Sequence, residues 1–262
     1  QSFHKIFSYF CGMQIVIIGS GNVAYHLAKA FTENQIPVKQ FFGRNEASLE
    51  KISSELGISY STERLEPADL YIIAVKDDAI GEVSKIITDK NSLVAHTSGS
   101  TRMEILAGEY RKASFYPLQT FSKEKKLDYS KIPFFIDAEN ENDKEILMNL
   151  AKKISSKAML VDDEKRKYIH LTAVFSCNFV NHLFARAKEI SDSQDIPFEY
   201  FLPLIEETVD KIHSINPKDA QTGPARRNDQ KILQMHETLL ENDEQREIYK
   251  IMNQSIKKMY EL

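Results

Sequence analysis

Cysteine is scarce in this chain. Cys11 and Cys177 are the only two among 262 residues, which gives neither a disulfide framework nor the paired spacing of a zinc site. A reducing compartment, the cytoplasm, is the simplest expectation. No apolar run approaches the roughly 20 residues that span a bilayer, and the longest ones are strand-sized. Basic blocks are missing too. Lys and Arg (34) are interspersed with Asp and Glu (38) for a formal net charge of −4, so there is no electrostatic footprint for nucleic acid or an anionic membrane. The G-x-S-x-G elbow and the P-loop are absent, and His236 with Glu237 lacks the second His of an H-E-x-x-H site. Hydrolase and phosphotransferase chemistry therefore have no support, and no metal is expected. Neither an internal repeat nor a low-complexity tract is found.

The length suits one large domain, or a large one with a smaller companion. The leader "QSFHKIFSYFCG" is too short and too polar for a signal peptide, and Met13 stands at the natural start of the first strand, so residues 1–12 read as an upstream extension. From there to about residue 161, short β-type runs ("QIVII", "VKQFF", "DLYIIAV", "SLVAH", "ASFY", "PFFID", "AMLV") alternate with helical ones, including 79–87. Such alternation predicts βαβ units and a mostly parallel, doubly wound sheet. After it the β signals stop. Helices are expected over 164–192, 198–213, 226–240 and 243–260, separated by "DSQDIPFEYF" and "SINPKDAQTGP". The expected division is an α/β domain, 13–161, followed by an all-α domain, 162–262.

The first strand runs through "GSGNVA" into a helix. Gly19 permits a tight turn, Gly21 lets the backbone approach a pyrophosphate, and small Ala24 lets helix and strand pack closely. Ser20, Asn22 and Val23 complete the turn, where a helix N-terminus offers N–H groups to phosphate. The second strand ends in Gly43, Arg44 and Asn45, with no acid before Glu46 to hold a ribose 2′-OH. Arg44 instead suits a 2′-phosphate, which points to NADP over NAD. "AVKDDAI" brings Val75 to the next wall of the cleft, with Asp77 and Asp78 expected to cap the following helix. Thr97 and Ser98 of "AHTSGS" end the fifth strand, either near a nicotinamide or as a cap for a helix at Thr101.

Together "IIGSGNVAYHLAKAF", "AVKDDAI", "HTSGS", "FYPLQTFS", "HLTAVFSCNFVNHLF" and "TGPARRND" resemble a family of NADP-dependent-oxidoreductase-like proteins that carry a C-terminal domain of unknown function. More widely, the chain is similar to pyrroline-5-carboxylate reductase, ketopantoate reductase and the β-hydroxyacid dehydrogenases. The resemblance implies an N-terminal Rossmann domain and a helical C-terminal domain, the latter a region through which related reductases dimerise. The β-hydroxyacid dehydrogenases place a catalytic Lys one turn before an Asn; if Asn178 matches that Asn, Val174 stands where the Lys would be.

On a regular helix His170, Val174, Asn178 and Asn181 share one face. His170 suits a general acid or base, and Asn178 an amide at the reacting group; both also fit satisfied polar groups of a core. Arg226 and Arg227, at an expected helix start, oppose its dipole and suit an anionic substrate group, an acid of a partner subunit or a surface salt bridge. The expected function is hydride transfer between NADP(H) and a small C=O or C=N substrate held between the domains, in a homodimer formed through the helical domain. An NADP(H)-binding sensor without turnover is the alternative.

Overall fold

In strand β1 (Ile15–Ile18) four consecutive apolar residues are all buried. They divide by alternation: Ile15 and Ile17 enter one hydrophobic cluster with Phe31, Leu49 and Leu147, while Val16 and Ile18 enter another with Tyr71, Val94 and Leu106. A continuous apolar run is thus what a strand covered on both faces requires. The protein, described here as a computed structural model over residues 12–262, builds its sheet around that strand. Residues 1–11 of the leader, Cys11 among them, lie outside the described residues.

After β1 come helix α1 (Asn22–Glu33), β2 (Val38–Phe42), α2 (Glu46–Leu56), the two-residue β3 (Tyr60–Ser61), β4 (Leu70–Ile73), a short α3 (Ile80–Ser84), β5 (Leu93–His96), β6 (Arg111–Pro117), β7 (Phe134–Ala138), α4 (Glu141–Ile154) and β8 (Ala158–Leu160). The sheet order is β3-β2-β1-β4-β5-β6-β7-β8. Every pair is parallel except β6 with β7. Strand order reverses between β1 and β4, which makes the carboxyl ends of those strands the place where such sheets bind ligands. The sequence pattern predicts all of these strands but β3. The helix predicted over 79–87 is only a 3₁₀ turn, Asp77–Ala79, and one α-turn.

Helix α5 (Asp163–Ala173) starts where Asp162 accepts a hydrogen bond from the Lys165 N–H, with two acids in its first turn. Here the expected single helix is interrupted. A π turn, Val174–Asn178, separates α5 from α6 (Phe179–Ser193). The chain divides at this point into two compact units, the first ending at Asn178 and the second comprising Phe179–Leu262. The break therefore falls later than the expected 161/162, because α5 is bonded to β6 and its neighbours through Arg166 and His170.

The second unit is wholly helical among its regular elements: α6, α7 (Leu202–Lys211), α8 (Gln230–Leu239) and α9 (Asp243–Met259). Arg186 to Glu244 and Gln245 to Glu189 tie α6 to α9, and the His236–Tyr249 hydrogen bond ties α8 to α9. Among the described residues no helix is long and apolar enough to cross a membrane.

Candidate active site

The site is built from the turn between β1 and α1. Gly19 has φ +131°, and a Cβ there would stand 2.2 Å from the Ala74 carbonyl oxygen, so both backbone and space require glycine. Its N–H donates to the Phe42 carbonyl at 2.8 Å, fixing the turn to β2. At Gly21, by contrast, a Cβ would meet nothing within 4 Å. Gly21 is the N-cap of α1, which has no side-chain cap and no acid in its first turn. Helices α2, α4, α5, α8 and α9 are each capped by an Asn or Asp side chain. The N–H groups opening α1 thus face exposed Gly21 and Asn22 without that partner, as phosphate binding at a helix N-terminus needs. A dinucleotide pyrophosphate fits this cradle, and Gly19, Ser20, Gly21, Asn22 and Val23 would hold it.

The flanking residues gather at the same turn. Gly43 backs onto Gly19, and the Val75 side chain borders Gly19 from just beyond β4. Arg44 is exposed at the end of β2. Asn45 Oδ1 accepts the Ser48 N–H at 3.0 Å and caps α2.

At the end of β5, Thr97 and Ser98 are buried. Ser98 Oγ accepts the N–H groups of Ser100 and Thr101 and donates to Thr101 Oγ1, closing a local turn. No α-helix follows at Thr101, only a 3₁₀ turn at Met103–Ile105. Asp77 does not cap a helix through its side chain either, since it accepts from Ser100 Oγ at 2.7 Å.

Beside this turn stands a pair that sequence reasoning overlooked. Tyr116 Oη, from β6, lies 3.2 Å from His170 Nδ1 of α5. A Cβ on Gly99 would come within 2.6 Å of Tyr116 Cζ and 2.9 Å of His170 Nδ1, so Gly99 lets the two rings close over the end of β5. Burial, and secondarily the Asp77 charge, pushes the Tyr116 pKa up to about 12. At neutral pH Tyr116 is therefore a phenol and a hydrogen-bond donor. The available signal was Ser114 with Tyr116, polar atoms two apart on an otherwise apolar strand, hence on one face.

Arg166 lies one helical turn before His170, with its side chain 1% exposed. It donates to Ser114 Oγ at 2.6 Å and to the Thr101 carbonyl at 2.5 Å, and pairs with Asp163 at 2.6 Å. Strand β6 and helix α5 thus meet through two rungs, Ser114 with Arg166 and Tyr116 with His170. Near the first rung His96 is fully buried, its Nδ1 accepting the Ser98 N–H while Nε2 has no partner. Burial, reinforced by the Arg166 charge, brings the His96 pKa down to about 4.

The remaining predicted residues stand on later segments of the chain. Asn178 is exposed in the π turn and Asn181 is exposed in the second unit. A π turn holds one residue more than an α turn. The spacing of four, four and three from His170 to Asn181 therefore crosses a segment that is not regular α-helix. Arg226 and Arg227 precede α8, whose cap is Asp229, so the helix-dipole argument for them fails. Arg226 instead lies 4.3 Å from the centroid of the Tyr260 ring. Among the described residues no group of His, Cys, Asp or Glu could hold a metal.

Residues 14–98 match the family described as "NADP oxidoreductase coenzyme F420-dependent", and residues 132–256 match a domain of unknown function, DUF2520. A solved structure from Bacteroides fragilis, described as a "putative NADP oxidoreductase", is 38% identical with a TM-score of 0.90 and covers 94% of this chain and 98% of its own. The chain belongs to this NADP oxidoreductase family. This oxidoreductase also shares its fold with a pyrroline-5-carboxylate reductase from Coxiella burnetii, at 14% identity and TM-score 0.56 over 95% of this chain and 98% of that one. A reductive aminase from Aspergillus terreus, solved with NADPH and ethyl-5-oxohexanoate, matches at 14% identity and TM-score 0.58 over 77% and 74%. A comparison with curated proteins gives no match.

Proposed function

We propose that this oxidoreductase uses NADP(H) to reduce a small C=O or C=N substrate at the end of β5, with Tyr116 and His170 delivering the proton. The observation that carries this reading is the Tyr116–His170 pair closed over Gly99. When bound, the nicotinamide supplies the hydride. Tyr116 then gives its proton to the oxygen or nitrogen of the reduced bond, and His170, within hydrogen-bond reach, returns one to the phenolate. Asn178, exposed two turns beyond His170, is read as an amide donor to the substrate. Loss of NADPH absorbance with one or more of a panel of imines, 2-oxo acids and aldehydes is the expected result. Tight NADPH binding with no turnover across that panel would favour a sensor instead.

The preference for NADP(H) rests on Arg44. It is exposed at the end of β2, and the reductive aminase that shares the fold was solved with NADPH. Arg44→Ala is expected to weaken NADPH binding by about 1.5–3 kcal/mol, the scale of a hydrogen bond to a charged group, and to change NADH binding little. Equal losses for both cofactors in a binding titration would refute the assignment. The second unit is read as a homodimer surface because Leu204, Leu239 and Ile251, on three of its helices, are each more than 60% exposed, apolar surface that a second copy would cover. Sedimentation at micromolar concentration should give a dimer; a monomer would remove this reading.

A further inference from the structure

The loop after β6 crosses back to the glycine turn, and its contacts there are specific. Asn22 Nδ2 donates to the Phe121 carbonyl at 2.8 Å, and Lys123 Nζ donates to the Ser20 carbonyl at 2.9 Å. His26, on α1, anchors the loop from beneath. Its Nε2 lies 2.9 Å from the Ser122 carbonyl, its Nδ1 lies 2.8 Å from Tyr129 Oη, and its ring stacks on Phe121. Burial holds the His26 pKa below its ordinary value, so the anchor is neutral.

The consequence is a half-buried ammonium beside the residue that separates the two glycines. A lysine ammonium has three donors, and one carbonyl uses a single one. Beside it stand the open space at Gly21 and the uncapped start of α1. The Rossmann turn by itself offers phosphate only backbone N–H groups and a dipole. We propose that Lys123 is a ligand of the dinucleotide pyrophosphate, contributed by the loop after β6 and lying apart from the 2′-phosphate site at Arg44. This rests on the reading of the glycine turn as a dinucleotide site. It divides recognition between two cations. Lys123 serves the pyrophosphate that NADPH and NADH share, and Arg44 serves the 2′-phosphate that only NADPH carries.

Binding of NADPH and of NADH to the whole protein, followed by calorimetry, separates these roles without any substrate. Lys123→Ala is expected to weaken both cofactors by the same factor, roughly tenfold to a hundredfold for a lost charged hydrogen bond. Lys123→Gln keeps a donor for the Ser20 carbonyl and lacks the charge, so it should weaken both cofactors in the same way, with an unchanged unfolding midpoint. Lys123→Arg should retain most of the affinity. Wild-type affinity for both cofactors should fall with salt more steeply than that of Lys123→Gln. Wild-type affinity in Lys123→Gln would overturn the proposal, showing that the lysine only fastens the loop. Weakening of NADPH alone would overturn it too, by moving Lys123 to the 2′-phosphate. If the wild-type protein bound neither cofactor, the reading of the glycine turn would fall and this proposal with it.

Discussion

Arg166→Met should lower the free energy of unfolding by about 3–5 kcal/mol, the cost of breaking a buried ion pair from one side. Methionine fills much of the same volume, so the loss is not one of packing. Asp163 would keep its charge with only the Met103 N–H, and the Ser114 hydroxyl and Thr101 carbonyl would lose their donors. Adding Asp163→Asn should recover part of the loss, because the stranded charge is then gone. Urea unfolding with fixed m-values measures both steps, and a change below about 1 kcal/mol for the single variant would show the cluster to be solvated.

The same cluster sets the acid lability of the fold. His96 has a folded pKa of about 4, against 6.5 when unfolded. The unfolded state therefore binds more protons between these values, so stability is fully present above pH 6.5 and is lost as pH falls toward 4. The expected loss over that window is about 3 kcal/mol. Removing the Arg166 cation relieves one of the two forces holding this pKa down, so Arg166→Met should also flatten the slope.

The α/β fold was legible because its signals are local. The apolar β1 run, the glycines of the first turn and the alternation of short elements each depend on residues close in sequence. The site was legible only to the extent that it is local as well. Gly19 to Val23 link the end of β1 to the start of α1, and Val75, Thr97 and Ser98 follow strand ends, all places that the fold type dictates. Tyr116 did not stand out because an aromatic residue in a buried strand looks like core, and its partner His170 is 54 positions away. Gly99 reads as a turn residue until Tyr116 and His170 are placed against it. The π turn is invisible to a 3.6-residue period, and by that period Asn178 and Asn181 were aligned with His170. Arg166 was not singled out, since only the tertiary fold brings Ser114, Thr101 and Asp163 to its guanidinium.

On the proposed mechanism, Tyr116→Phe should lower the rate of substrate reduction by roughly 10²–10⁴, the range that a positioned general acid contributes. The phenyl ring retains the packing against Gly99, and the NADPH affinity should stay within about twofold, since no cofactor contact is assigned to the hydroxyl. Stability should change little as well. His170 is only half-buried, so water can replace the lost partner at a cost of about 1 kcal/mol. With the Tyr116 pKa pushed up to about 12, the phenol stays protonated through neutral and mildly alkaline pH. The wild-type reduction rate should therefore show no decline from phenol ionisation until strongly alkaline solution, where the donor is lost. Single-turnover oxidation of bound NADPH, using whichever substrate of the panel reacts, separates this step from binding and release. A Tyr116→Phe rate within a fewfold of wild type would exclude Tyr116 as the proton donor. His170→Asn then decides the role of the second ring: it should slow reduction less than Tyr116→Phe, because the phenol still carries the first proton and only its reprotonation must come from water.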